Sequence, residues 1–209
     1  MAVNSTPEKA GEPAGARIRL DARDALLIVD LQVDFLPGGA LGVPGGDEIV
    51  PVLNRYLALA RSKSLPVFAS RDWHPPAHCS FRAQGGPWPP HCVAGSPGAG
   101  FAPGLELPSD AAVISKATRA DADAYSAFAG TGLGERLRGR GIRRLLVGGL
   151  ATDYCVLNTV RDALREGFSV LLLEDAIRAV DVNPGDGERA RREMLRAGAV
   201  PATLETVTA

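Results

Sequence analysis

The sequence predicts a single α/β domain in three layers, with helices covering both faces of a parallel sheet. Two observations carry this expectation. Short, continuous apolar runs of strand length recur along the chain, as they do where both faces of a strand are covered. Segments with apolar residues at helical spacing lie between them. The runs occupy residues 25–29, 66–70, 111–115, 145–150, 170–173 and, near the C-terminus, 202–207. Strands alternating with helices imply right-handed crossovers and hence parallel neighbours.

Each element has a local cause. Residues 1–17 hold Ala, Gly, Pro, Glu and Ser without periodicity, which predicts a tail that buries little and leaves 18–209 as one domain. After the first run comes the glycine- and proline-rich stretch 37–46, then a helix with Ile49, Leu53, Tyr56, Leu57 and Ala60 along one face. That loop does not match G-x-G-x-x-G, and the P-loop pattern is absent. The second run leads into an irregular stretch, and the third ends on Lys116 before a helix carrying Leu133 and Leu137. The fourth run, with Gly148 and Gly149 inside it, is followed by Thr152 as a candidate N-cap and by helical spacing at Val156, Val160, Ala163 and Leu164. A last helix over 189–197 is stopped by Gly198.

With 209 residues, 45% hydrophobic and 22% charged, the chain suits one soluble globular domain with a sizeable core. A net charge of −1 offers no footprint for nucleic acid or an anionic membrane. No apolar run approaches the roughly 18 residues of a membrane span, and the N-terminus lacks the regions of a signal peptide, so a cytoplasmic protein is expected. The three cysteines, Cys79, Cys92 and Cys155, form no CxxC pair, which fits reduced thiols rather than a disulfide framework.

The reactive residues fall at the ends of the runs. Asp30 follows the first, Lys116 the third, and Cys155 stands early in the helix after the fourth. Unpaired backbone N–H groups and the dipole at a helix start bias a thiol toward thiolate, although a lone cysteine there also reads as a small buried hydrophobe. Asp30 and Lys116 by themselves read equally as solvated turn charges. All three histidines, His74, His78 and His91, lie between 74 and 91, and Asp72 precedes His74 by two in an extended segment, so those two side chains share a side. An aspartate with two or three imidazoles suits Zn²⁺, Mn²⁺ or Fe²⁺ with positions open for water or substrate; three unrelated loop histidines is the competing reading. In a parallel sheet ligands bind at the carboxyl ends of the strands, and an acid, a cation and a thiol gathered there describe a cysteine hydrolase without a histidine base.

Several segments in order, VDLQVDF, DWHPPAHCSF, WPPHCVAGSPGA, ISK, YSAF and GLATDYCV, resemble the signatures of the nicotinamidase branch of the isochorismatase-like cysteine hydrolases. The resemblance runs from residue 24 to the end. It implies a six-stranded parallel sheet of order 3-2-1-4-5-6 and a catalytic set of Asp30, Lys116 and Cys155. It implies one divalent metal ion, Zn²⁺ first and Mn²⁺ or Fe²⁺ as alternatives, on Asp72, His74 and His91, with His78 a further ligand in only some relatives. A cis peptide between Leu150 and Ala151 is also implied, with the backbone N–H groups of Ala151 and Cys155 as an oxyanion hole. The expected reaction is nicotinamide and water to nicotinate and ammonia through a cysteine thioester, in NAD salvage. The substrate is a small carboxamide, its ring held by Phe35, Trp88 and Tyr125, and the number of subunits is left open. Alternatives are another carboxamide or an enol ether such as isochorismate as substrate, or, in a different class, a flavodoxin-like nucleotide-binding module.

Overall fold

The segment Asp24–Val29 is buried along its whole length because it lies in the middle of a sheet whose two faces are both covered. In the computed structural model, which describes residues 17–208, it is the second of eight strands. They are β1 (Ile18–Arg19), β2 (Asp24–Val29), β3 (Val67–Asp72), β4 (Ala112–Lys116), β5 (Arg144–Leu150), β6 (Ser169–Arg178), β7 (Val200–Ala202) and β8 (Val207–Thr208). Six of them form one parallel sheet of order β4-β3-β2-β5-β6-β7, the order 3-2-1-4-5-6 when β2 is counted first. The α-helices are α1 (Ile49–Ser62), α2 (Leu133–Gly139), α3 (Leu157–Arg165) and α4 (Asp186–Arg196). The expected tail falls, apart from Arg17, outside the described residues.

Alternation along β2 assigns the layers. Leu26 and Ile28 pack with Ile49, Leu53 and Leu57 of α1 on one face. Ala25, Leu27 and Val29 pack on the other with Leu133 and Leu137 of α2, Val160 and Ala163 of α3, and Ala190 and Met194 of α4. Strand order reverses between β2 and β5, whose pairing runs from Asp24↔Arg144 to Val29↔Gly149. Gly149 has φ 131°, and a Cβ there would sit 2.0 Å from the Val29 carbonyl oxygen, so only glycine allows the two strands to close at the switch point.

As expected of the irregular stretch after the second run, residues 73–111 join β3 to β4 with only short 3-10 turns, because prolines and glycines break helical spacing throughout it. Three expectations need correction. The fifth strand does not stop at 173 but continues through a bulge to Arg178, where Asp175 accepts hydrogen bonds from the Tyr56 hydroxyl (2.8 Å) and the Leu204 N–H (2.9 Å). The last run is divided. β7 begins earlier, Thr203 and Thr206 close a turn, and β8 leaves the sheet to pair with β1. Finally, Thr152 is no N-cap: residues Thr152–Val156 form a π-helical turn in which the Val156 N–H reaches back to the Ala151 carbonyl (3.0 Å), and α3 starts only at Leu157.

Candidate active site

Four strand ends deliver the reactive groups to one place. β2 ends at Asp30, whose φ of 45° bends the chain away from the sheet. Asp72 and Lys116 close β3 and β4 and are register partners. β5 runs through the cis Leu150–Ala151 peptide into the π-turn that carries Cys155. Asp30, Asp72, Lys116 and Cys155 are all buried.

Lys116 is the hub. Its Nζ lies 3.0 Å from Asp30 Oδ2, 2.5 Å from Asp72 Oδ1 and 3.5 Å from Cys155 Sγ, and it donates to the Ala124 carbonyl at 2.9 Å. The ammonium loses its hydration on burial, but the two carboxylates more than offset this and hold Lys116 well above its ordinary range. Burial raises the Asp30 carboxyl, opposed by Lys116 and by the Ser70 hydroxyl, which donates to Oδ1 at 2.7 Å. At Asp72 burial also pushes upward, but Lys116 and His74 outweigh it and keep the group ionised.

The thiol differs from the sequence expectation. A helix start biases a thiol toward thiolate; here burial pushes Cys155 well up, with Lys116 pulling down and both Asp30 and Asp72 adding to the rise. One ammonium shared by two carboxylates leaves little positive potential for a third anion. Burial and the two carboxylates thus favour the protonated thiol, and a carboxylate oxygen of Asp30 and one of Asp72 lie within 4.8 Å of its sulfur.

Beside this cluster, Asp72, His74 and His91 present ligand atoms all within 4.8 Å of one another. A carbonyl oxygen can only accept, so the 3.2 Å contact from His74 Nδ1 to Ala117 O and the 2.8 Å contact from His91 Nδ1 to Pro89 O place the proton on Nδ1 in both rings. Each ring thus keeps an Nε2 lone pair. His74 Nε2 is buried and has no hydrogen-bond partner, a costly arrangement unless a further group takes that lone pair. Burial holds His91 below its ordinary pKa and so neutral. One carboxylate with two imidazoles oriented through Nδ1 fits a zinc-type divalent ion.

His78 stands apart. It stacks on His74 with ring centroids 4.2 Å apart, donates from Nε2 to Ala122 O (3.2 Å) and accepts from Ser80 Oγ at Nδ1 (2.7 Å), which leaves no nitrogen lone pair for a metal.

A small pocket of about 400 Å³ including its mouth opens onto both clusters, lined by Asp72, His91, Ala151 and Cys155 at its base and by Phe35, Trp88, Tyr125, Leu41, Tyr154 and Val180 around its walls. The Trp88 indole N–H donates to the Tyr125 hydroxyl (3.1 Å), and Tyr154 meets Trp88 edge-on and Tyr125 at a tilt. Every residue expected to contact substrate therefore faces this space. Sequence reasoning missed Leu41, Tyr154 and Val180, which lie far apart in the chain. It also missed Ser70 and Gln32. Gln32 ties β2 to β3 by donating to Asp72 O (2.9 Å) and accepting from the Asp72 N–H (2.7 Å). For Ser70 a signal existed, since it alternates with Asp72 along an extended segment and so shares its face.

Residues 24–206 match the Isochorismatase domain model. The chain belongs to the isochorismatase family. Within that family it is 44% identical over 201 residues to a nicotinamidase of Escherichia coli, covering 86% of this chain and 94% of that one. It is 41% identical over 167 residues to a nicotinamidase/pyrazinamidase of Mycobacterium tuberculosis, covering 76% and 88%. Among solved structures, the pyrazinamidase of Pyrococcus horikoshii in complex with zinc superimposes with a TM-score of 0.84 at 49% identity, covering 87% of this chain and 99% of that one.

Proposed function

We propose that this isochorismatase-family protein is a cytoplasmic nicotinamidase that hydrolyses nicotinamide to nicotinate and ammonia, with Cys155 as nucleophile and Asp72, His74 and His91 holding one zinc-type ion. The observation that carries the reading is one pocket lined both by Cys155 and by two of the three metal-ligand residues, between aromatic side chains that suit a flat ring. The nicotinamidase and pyrazinamidase relatives and the zinc bound in one of them support it.

In this reading the thiol gives its proton to Asp30 as sulfur attacks the amide carbon. Ionisation is thereby coupled to attack, as a buried, protonated thiol requires. The oxygen that becomes negative accepts from the backbone N–H groups of Ala151 and Cys155. Asp30, raised by burial, then passes its proton to the amide nitrogen. This step decides the direction of collapse, because an unprotonated amide nitrogen is a poorer leaving group than sulfur. The C–N bond breaks, ammonia leaves and a nicotinoyl thioester remains. Water attacks the thioester, Asp30 takes one of its protons, the C–S bond breaks, and the proton returns to Cys155. Lys116 keeps the cluster's charge balanced throughout. When bound, the metal ion is a Lewis acid able to hold a pyridine nitrogen or polarise a water.

The test is ammonia release from nicotinamide and benzamide, with and without chelator. Nicotinamide should be turned over, activity should vanish on chelation and return with zinc, and benzamide, lacking the ring nitrogen, should bind far more weakly. No ammonia from nicotinamide would refute the activity, and equal affinity for benzamide would remove the metal from ring recognition.

A further inference from the structure

The two histidines of the candidate metal cluster meet at one residue. The Cys92 carbonyl accepts the backbone N–H of His74 at 3.0 Å, and the residue before Cys92 is His91. Cys92 is fully buried with φ 45°, a left-handed conformation rare for a residue with a side chain and one that persists only where its surroundings enforce it. The enforcing contact is a carboxylate. The Cys92 N–H donates to Asp34 Oδ2 at 2.7 Å.

Asp34 is absent from the pocket lining, yet it holds the backbone of residues that are in it or beside it. It belongs to the 3-10 turn Val33–Phe35 just after the Asp30 strand end and directly precedes the pocket residue Phe35. Its backbone carbonyl accepts the Leu41 N–H at 2.9 Å, which secures a second wall residue. Its carboxylate also fills the space beside Gly98, where an added Cβ would lie 2.2 Å from Oδ2. The segment 91–98 thus folds against this one side chain.

We propose that Asp34 is a positioning residue that sets the separation of the His74 and His91 imidazoles by fixing the Cys92 peptide; this rests on the reading of Asp72, His74 and His91 as a metal site. The segment is irregular, so no helix or strand ladder defines its path. Removing the carboxylate leaves the Cys92 N–H buried without an acceptor and frees a strained residue to relax. His91 moves with it, while Asp72 stays in β3 and the His74 ring stays on the Ala117 carbonyl just after β4.

The experiment is zinc affinity of the metal-stripped full chain, measured by competition with a chromogenic chelator, together with the absorption spectrum of the cobalt-loaded protein. Asp34→Ala should bind zinc about 10- to 100-fold more weakly, the range for residues that orient metal ligands, with an altered cobalt spectrum and an unchanged far-UV circular dichroism spectrum. Asp34→Asn, which keeps an oxygen able to accept from Cys92, should recover most of the affinity. Leu137→Ala, a core truncation in the remote α2, should lower the melting temperature and leave zinc affinity alone. Should Asp34→Ala not fold, Gly98→Ala displaces the same carboxylate and should weaken zinc likewise. Wild-type zinc affinity in whichever of these two variants folds, an equal loss in Leu137→Ala, or an Asp34→Asn variant as weak as Asp34→Ala would overturn the proposal. A wild-type chain that binds no stoichiometric zinc would refute the metal reading itself.

Discussion

Lys116 shows how much one buried side chain can decide. A single ammonium faces Asp30, Asp72 and the Cys155 sulfur, so deleting Lys116 leaves two buried carboxylates without their cation, and breaking a buried ion pair in this way typically costs about 3–5 kcal/mol. If Asp30, Lys116 and Cys155 act as one unit, Asp30→Ala, Lys116→Ala and the double variant should each lose kcat to a similar extent, far from the product of the single losses. Steady-state ammonia release checks this, and multiplicative losses would mean independent roles. Ser70 supplies a milder probe. Its hydroxyl donates to Asp30 and is one of the influences that lower that carboxyl. Ser70→Ala should therefore raise the Asp30 pKa further. Because the base must be ionised to accept the thiol proton, activity is lost as pH falls through this raised value, and the acid limb of the kcat/KM profile should move to higher pH. The loss on the plateau should be about 10-fold or more, as for a hydrogen bond to a charged group; an unmoved limb would separate Ser70 from Asp30. Asp30 and Lys116 were legible in the sequence because a charge ending an apolar run is conspicuous. The contact between Asp72 and Lys116 was not, since it depends on the β3–β4 register. The sharing of the lysine's charge was hidden for the same reason: the sequence showed the thiol's cation but not that Asp72 draws on it as well as Asp30.

At the scale of elements, the site depends on how β2 and β5 close against each other and on how the π-turn is tied to the strand beside it. Gly149→Ala puts a methyl against the Val29 carbonyl in a backbone conformation that L-residues avoid. It should destabilise the fold by about 3 kcal/mol or more, read as a fall in the urea midpoint; a change under about 0.5 kcal/mol would show that the strand ends move freely. Asp153 caps the backbone N–H groups of Val180 (3.0 Å) and Asp181 (2.9 Å), binding the loop after β6 to the π-turn. Asp153→Ala should loosen the Val180 wall and raise KM for nicotinamide more than it lowers kcat. The strands were legible from their apolar runs, and α1 from its spacing. The π-turn was not, because one extra residue in a helix start leaves the spacing of apolar residues almost unchanged. The bulge in β6 was hidden by Glu174 and Asp175, which read as a loop until Tyr56 supplies a partner for the aspartate.

The whole molecule brings four strand ends and the irregular segment 73–111 to one edge of the sheet. The parallel architecture and the side on which chemistry gathers were legible, because both follow from strand alternation and the position of reactive residues at run ends. The path of the irregular segment was not, since its form is set by individual contacts such as Asp34 with Cys92. Ligands that span several elements stabilise the folded state by mass action, so zinc at about 100 times its Kd should add roughly 2.7 kcal/mol and raise the melting temperature by several degrees. His74→Ala should abolish that gain, and a zinc-dependent rise surviving in His74→Ala would place the ion elsewhere. The central claim is that this edge is a cysteine amidohydrolase. Its most direct test is ammonia release from nicotinamide by zinc-loaded wild type and Cys155→Ala, with Cys79→Ala and Cys92→Ala alongside. The account requires turnover by wild type, its loss by at least about 10³-fold in Cys155→Ala, as for removal of a covalent nucleophile, and its survival in Cys79→Ala. Substantial ammonia release by a folded Cys155→Ala protein would contradict it.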